Sequence, residues 1–117
     1  MTVKLILLKS GEDIIADVTE MVVGEEEERR IVGYFFDKPC IIKLREGEES
    51  PDQKSAYKIS MFPWMPLSAD SKIPVPADWV VTMVEPKDQL RKMYLEDVVG
   101  NGKDSEDSST DDKSDSD

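Results

Sequence analysis

The chain has 117 residues, with 15 Lys and Arg against 26 Asp and Glu, for a formal net charge of −11. That length holds one domain, and the acidic balance works against non-specific nucleic-acid binding, which depends on Lys and Arg neutralising phosphates. A single cysteine, Cys40, and the absence of histidine exclude a disulfide framework, a Cys/His zinc site and a histidine-based triad.

Residues 3–23 read VKLILLKSGEDIIADVTEMVV and predict a β-hairpin, with turn chemistry at Ser10-Gly11-Glu12-Asp13. Val3, Leu5 and Leu7 point to one face of the first strand, but Ile6 and Leu8 make the other face apolar too. Such a strand needs cover on both sides, in a small barrel or under a helix. Next come Gly24 and four consecutive glutamates before Arg29 and Arg30, a like-charge run that belongs in an exposed loop.

Ile31, Val32, Tyr34, Phe35 and Phe36 predict a further strand, a break at Asp37-Lys38-Pro39, and a new strand over residues 40–44. Cys40, beside Ile41 and Ile42, reads as a small buried apolar residue. Residues 46–52 form a second charged loop. Tyr57, Ile59 and Met61 alternate with Lys58 and Ser60 as in a strand, and Pro63 and Pro66 then mark a bend or an edge. Residues 72–76 form a short extended piece, and residues 79–84, WVVTMV, a last β-branched strand.

From Pro86 the period changes: Leu90, Met93, Tyr94 and Val98 share one helical face, with Gly100 as the stop. Residues 101–117 contain no apolar side chain, and their seven acids and two lysines give −5. Nothing there offsets the entropy of ordering, so they read as a disordered acidic tail behind a folding unit of residues 1–100. The order is about five strands and one C-terminal helix, a mainly β class.

No phosphate-cradling, metal or nucleophilic motif occurs, so the expectation is a protein that is no enzyme and holds no cofactor and no metal. The aromatics at Tyr34 to Phe36, Tyr57, Phe62 and Trp64 offer a base-stacking platform, against a core and subunit-interface role that a small domain favours. No signal-peptide pattern or membrane-length apolar run is present, which points to a soluble cytoplasmic protein.

The opening hairpin with glycine in its turn resembles the first Sm motif, and Asp78 to Met83 sits where the fifth strand of the second motif falls. Three phrases, GYFFDKP, FPWMPLS and IPVPADWVVTMVEP, resemble an uncharacterised group of Sm-like proteins encoded by cyanophages. The resemblance runs from Thr2 to about Val98 and implies an Sm-like small open barrel of five strongly bent antiparallel strands with a C-terminal helix. RNA-binding Sm proteins carry an Asp-aromatic-Met-Asn loop before the third strand and an Arg-Gly pair before the fifth. Aligned on the phrases, these places read Phe35-Phe36-Asp37-Lys38-Pro39 and Val75-Pro76-Ala77, without the base-sandwiching Arg or the base-reading Asn.

An open barrel leaves its fourth and fifth strands as edges. The resemblance therefore implies head-to-tail pairing of Tyr57, Ile59, Met61 and Phe62 of one copy with Trp79, Val81 and Met83 of the next, in a ring of about five copies. The leading expectation is a phage-encoded, non-catalytic scaffold ring in the cytoplasm of the infected cell, with an unknown protein partner for the acidic tail. RNA is a second candidate ligand, through Tyr34, Asp37 and Lys38, against which the charge balance counts. The alternative is an OB-like barrel that binds single-stranded nucleic acid and is autoinhibited by its tail.

Overall fold

The computed structural model describes residues 1–46 and 57–100, with the side chains of Glu46 and Tyr57 excepted. The second charged loop of the sequence reading, except Glu46, and the acidic tail lie outside these residues.

Strands β1 (Val3–Leu8) and β2 (Asp13–Val23) form the predicted hairpin, with Lys4 opposite Ala16 and Ile6 opposite Ile14. Gly11 closes it at φ 89°, a region free of penalty only without a Cβ, and its N–H donates to the Leu8 carbonyl at 2.9 Å. The Ser10 hydroxyl donates to the Glu12 carboxylate at 2.7 Å, fixing the tip. Ile6, Leu8, Ile14, Ile15, Ala16 and Val18 are buried, and Leu5 and Leu7 are half-buried. Both faces of β1 are thus at least partly covered, as the apolar residues on each of them require.

Strand β3 (Arg30–Glu46) differs from expectation: the predicted break at Asp37-Lys38-Pro39 lies inside one 17-residue strand. Ile15 faces Cys40 while Asp17 faces Asp37, so Lys38 and Pro39 together oppose Ala16 alone. Two residues against one is a β-bulge, which bends a strand without ending it, and Lys38 takes φ 50° there. Drawn straight, 17 residues would span about 56 Å, far longer than a small barrel, so the breaker residues serve to turn the strand.

Strands β4 (Tyr57–Pro63) and β5 (Lys72–Pro76) both run antiparallel to β3, along residues 40–46 and 33–37 respectively. They are two halves of one strand path, interrupted opposite the bulge. The Trp64 N–H donates to the Pro39 carbonyl and the Lys38 N–H to the Ser71 carbonyl, both at 2.9 Å, closing the base of an eight-residue excursion over 64–71. After a 3-10 turn (Ala77–Trp79), β6 (Val80–Val84) pairs with β1. The order β4-β3-β2-β1-β6, with β5 also on β3, makes a mainly antiparallel, unclosed barrel with five strand paths, as the sequence reading expected. Lys4 of β1 forms an ion pair with Glu85, just after β6.

The core comprises Ile6, Leu8, Ile14, Ala16, Val18, Phe36 and Val75, flanked by Tyr34, Ile41, Trp64, Val80 and Met83. Removing each large side chain from water contributes about 1.5–3 kcal/mol. Gly33 is required by packing: a Cβ there would lie 2.7 Å from the Val75 carbonyl oxygen. Gly33→Ala is expected to push β5 off β3 and cost about 1–3 kcal/mol, read as a lower urea midpoint; an unchanged midpoint would refute that close approach.

Residues from Pro86 onward form a separate unit. Helix α1 (Asp88–Tyr94) buries Leu90 and Tyr94, half-buries Met93, and continues as π-type turns (Leu95–Gly100) in which Val98 is half-buried. The predicted apolar stripe is therefore present, although its last part is wound more loosely than an α-helix.

Candidate functional site

The sheet ends in two strand paths, β4 with β5 on one side and β6 on the other, and each has a sheet neighbour on one flank only among the described residues. These are the edges expected from sequence. On β6, Val81 is 57% exposed and Val84 is also exposed, while Met83 packs against the core and Trp79, just ahead of the strand, is 43% exposed. On β4, Ile59 and Met61 are half-buried and Phe62 is 45% exposed; the side chain of Tyr57 lies outside the described residues. Neither edge carries an acid over its described length, and Lys58 is the only cation of residues 58–62 and 80–84.

The two halves of the first edge are not equivalent. In an edge strand, alternate residues direct their amide groups outward, and a proline is tolerated only where no ladder donor is needed. Pro74 and Pro76 of β5 share that parity, so this half offers few donors to a new strand. Strand β4 up to Phe62 contains no proline and is the half open to pairing.

The sequence-predicted nucleic-acid contacts do not form one exposed surface. Tyr34 is half-buried, flanks the core and lines an open concavity of about 420 Å³ with Thr2, Lys4, Glu20 and Met83 among its neighbours. Asp37 is half-buried, and Lys38 is exposed on the bulge. The other aromatics are similarly committed: Phe36 is fully buried, its ring centroid lies 6.2 Å from that of Trp64, and the Trp64 indole N–H donates to Glu12 at 3.4 Å. An aromatic fixed in the core on one face cannot sandwich a base, and of these rings, among the described side chains, Phe62 alone is exposed, at 45%.

Among the described residues no group of His, Cys, Asp and Glu is placed to hold a metal ion, and no helix is long and apolar enough to cross a membrane. Cys40 is buried, and burial pushes its thiol pKa up, which keeps it protonated and unreactive near neutral pH. A thiol reagent is expected to modify it slowly in the native protein and rapidly in urea; equal rates would contradict its burial. Because the folded-state pKa is raised, the linked stability is full below the ordinary thiol pKa and falls as pH rises through the window above it.

A five-path open barrel with two apolar edges narrows the choice, and a family comparison decides it: residues 3–95 match the Sm-like domain. The chain belongs to the Sm-like family. No curated protein matches it. Sm-like domains are generally non-catalytic binding modules that typically form oligomeric rings and associate with RNA. The assignment replaces the OB-like alternative for the barrel.

The fold also moves one of the expected RNA-contact places. The loop before the third strand of this Sm-like barrel is 24–29, because residues 35–39 lie within β3. That loop holds Gly24 at φ 89°, four exposed glutamates and Arg29. Of the expected place before the last strand, Val75 and Pro76 lie in β5 and Ala77 opens the 3-10 turn Ala77–Trp79 that leads into β6. Where RNA-binding relatives present an Asp-aromatic-Met-Asn loop, this chain presents a run of carboxylates, which repels a phosphate backbone. The sequence signal for this was the glutamate run itself; the placement required β3 to be continuous.

Proposed function

We propose that the chain is a homo-oligomeric Sm-like ring that acts as a non-catalytic binding or scaffold module, closed head to tail by β4 of one copy pairing with β6 of the next. The observation that carries this reading is a sheet ending in two strands with apolar, acid-free outer surfaces, which a lone monomer would leave as sites for uncontrolled association. A contact between unlike edges is heterologous, and it ends in a closed ring when the rotation allows.

Five copies and a phage origin follow the cyanophage-encoded group whose phrases recur at residues 33–39, 62–68 and 73–86, and with them residence in the cytoplasm of an infected cell. Residues 101–117, with a charge of −5 and no apolar side chain, are the segment available to a protein partner. RNA is the lesser ligand, since four glutamates stand in the loop before β3 and the net charge is −11.

Light scattering at tens of micromolar, with and without a mixed pool of short RNA and DNA, tests this reading. The expected result is a multiple of the 13.2 kDa chain mass that takes up no nucleic acid. A folded monomer contradicts the ring, and salt-dependent uptake of RNA by the intact chain contradicts the protein-scaffold role.

A further inference from the structure

The excursion over residues 64–71 has no place in a simple five-strand path. It leaves the sheet at the bulge of β3, and its entry is fixed at three points: the Trp64 N–H to the Pro39 carbonyl, the Trp64 indole to Glu12, and the Trp64 ring packed near Phe36. Beyond this anchor the Ser68 N–H donates to the Met65 carbonyl at 3.1 Å, and the Asp70 N–H donates to the Ser68 hydroxyl at 3.0 Å. The tip is therefore held in a defined turn. Yet Met65 is 49% exposed, Leu67 is 99% exposed, and Phe62 stands exposed just before the anchor. A lone exposed leucine carries no message, but two large apolar side chains on an anchored knob, with a third exposed on the strand that leads into it, do.

We propose that this knob is a clasp on the neighbouring copy, in which Met65 and Leu67 of one subunit pack against Trp79 of the next; the proposal rests on the ring reading above. Three observations select a second copy as the occupant. First, the knob grows from the edge path on which the next copy would pair. Every pairing in this sheet is antiparallel. An antiparallel β6 laid beside β4 brings its Val80 end, and hence Trp79, to the Pro63 end where the knob begins. Second, β6 has five residues, about 17 Å of strand, and strand pairing alone falls well short of the ~800 Å² per partner that a stable interface needs. Third, Pro74 and Pro76 deny the β5 half of the edge its outward amides, so the interface must extend by side-chain contacts.

Leu67→Asp leaves the folded monomer unstrained, because the side chain meets solvent. It is expected to raise the concentration at which the ring dissociates by about tenfold or more, followed by light scattering on dilution with circular dichroism as the fold check. A double variant, Leu67→Cys with Trp79→Cys, is expected to join copies covalently under a mild oxidant. It should give a ladder of multiples on a non-reducing gel that neither single variant gives, since the native Cys40 is buried. A wild-type ring whose Leu67→Asp variant dissociates at the same concentration, or a double variant without a ladder, overturns the clasp and leaves the ring standing. A wild-type chain that is monomeric overturns both.

Discussion

Phe36→Ala is expected to lower the stability of the barrel by about 3–5 kcal/mol, seen as a collapse of the urea midpoint. Phe36 is fully buried in the same cluster as Ile6, Ile14 and Val75, and its ring supports Trp64. It also occupies β3 two residues before the bulge, with Val18 of β2 and Ile73 of β5 as its register partners. Truncation leaves a cavity that these strands can close only by giving up their pairing, so the loss includes both the transfer and the cavity contribution. A small domain has about 5–15 kcal/mol in total, and the variant should therefore be partly unfolded in mild denaturant. A loss below about 1 kcal/mol would mean that Phe36 is not at the centre of the core.

Val81→Glu has the largest effect expected on assembly. Val81 is 57% exposed on β6, so the monomer loses little when a carboxylate replaces it. In a ring the same carboxylate would be carried into every subunit contact, removed from water without a cation specified to receive it, in a chain whose net charge is already −11. The expected product is a folded monomer at concentrations where the proposed ring of the unaltered chain persists, measured by light scattering and circular dichroism. Val81→Ile, which keeps the apolar surface, should leave the assembly intact. A Val81→Glu chain that still assembles would place the subunit contact elsewhere.

Much of this was legible in the sequence because its signals are local. Gly11 between two apolar runs specifies the hairpin, apolar residues on both faces of 3–8 specify a strand covered on both sides, and the glutamates before Arg29 specify an exposed loop. The edge at β4 was legible as well, since Pro63 at its end and Pro66 just beyond fit only where ladder donors are dispensable. What was not legible depends on partners. Asp37-Lys38-Pro39 looks like a strand break, but whether such residues end a strand or bend it is decided across the sheet, where Ala16 alone faces two residues. Placing the expected RNA-contact loop on that segment followed from the same ambiguity. The piece at 72–76 is too short to declare itself the second half of an interrupted strand, which only its pairing with residues 33–37 reveals. For Tyr34 and Trp64 the core role that a small domain favours could be weighed against stacking but not settled, because composition gives the ring but not the face it buries.

Native mass spectrometry of the full chain weighs the assembly directly and resolves its copy number. A ring closed by β4 and β6 in the manner of the cyanophage group gives a single dominant species at five times the 13.2 kDa chain mass, with no ladder of intermediates, because a closed ring leaves no free edge. A spectrum dominated by the 13.2 kDa monomer at tens of micromolar, from protein shown to be folded, would contradict the ring and with it the role assigned to both edges.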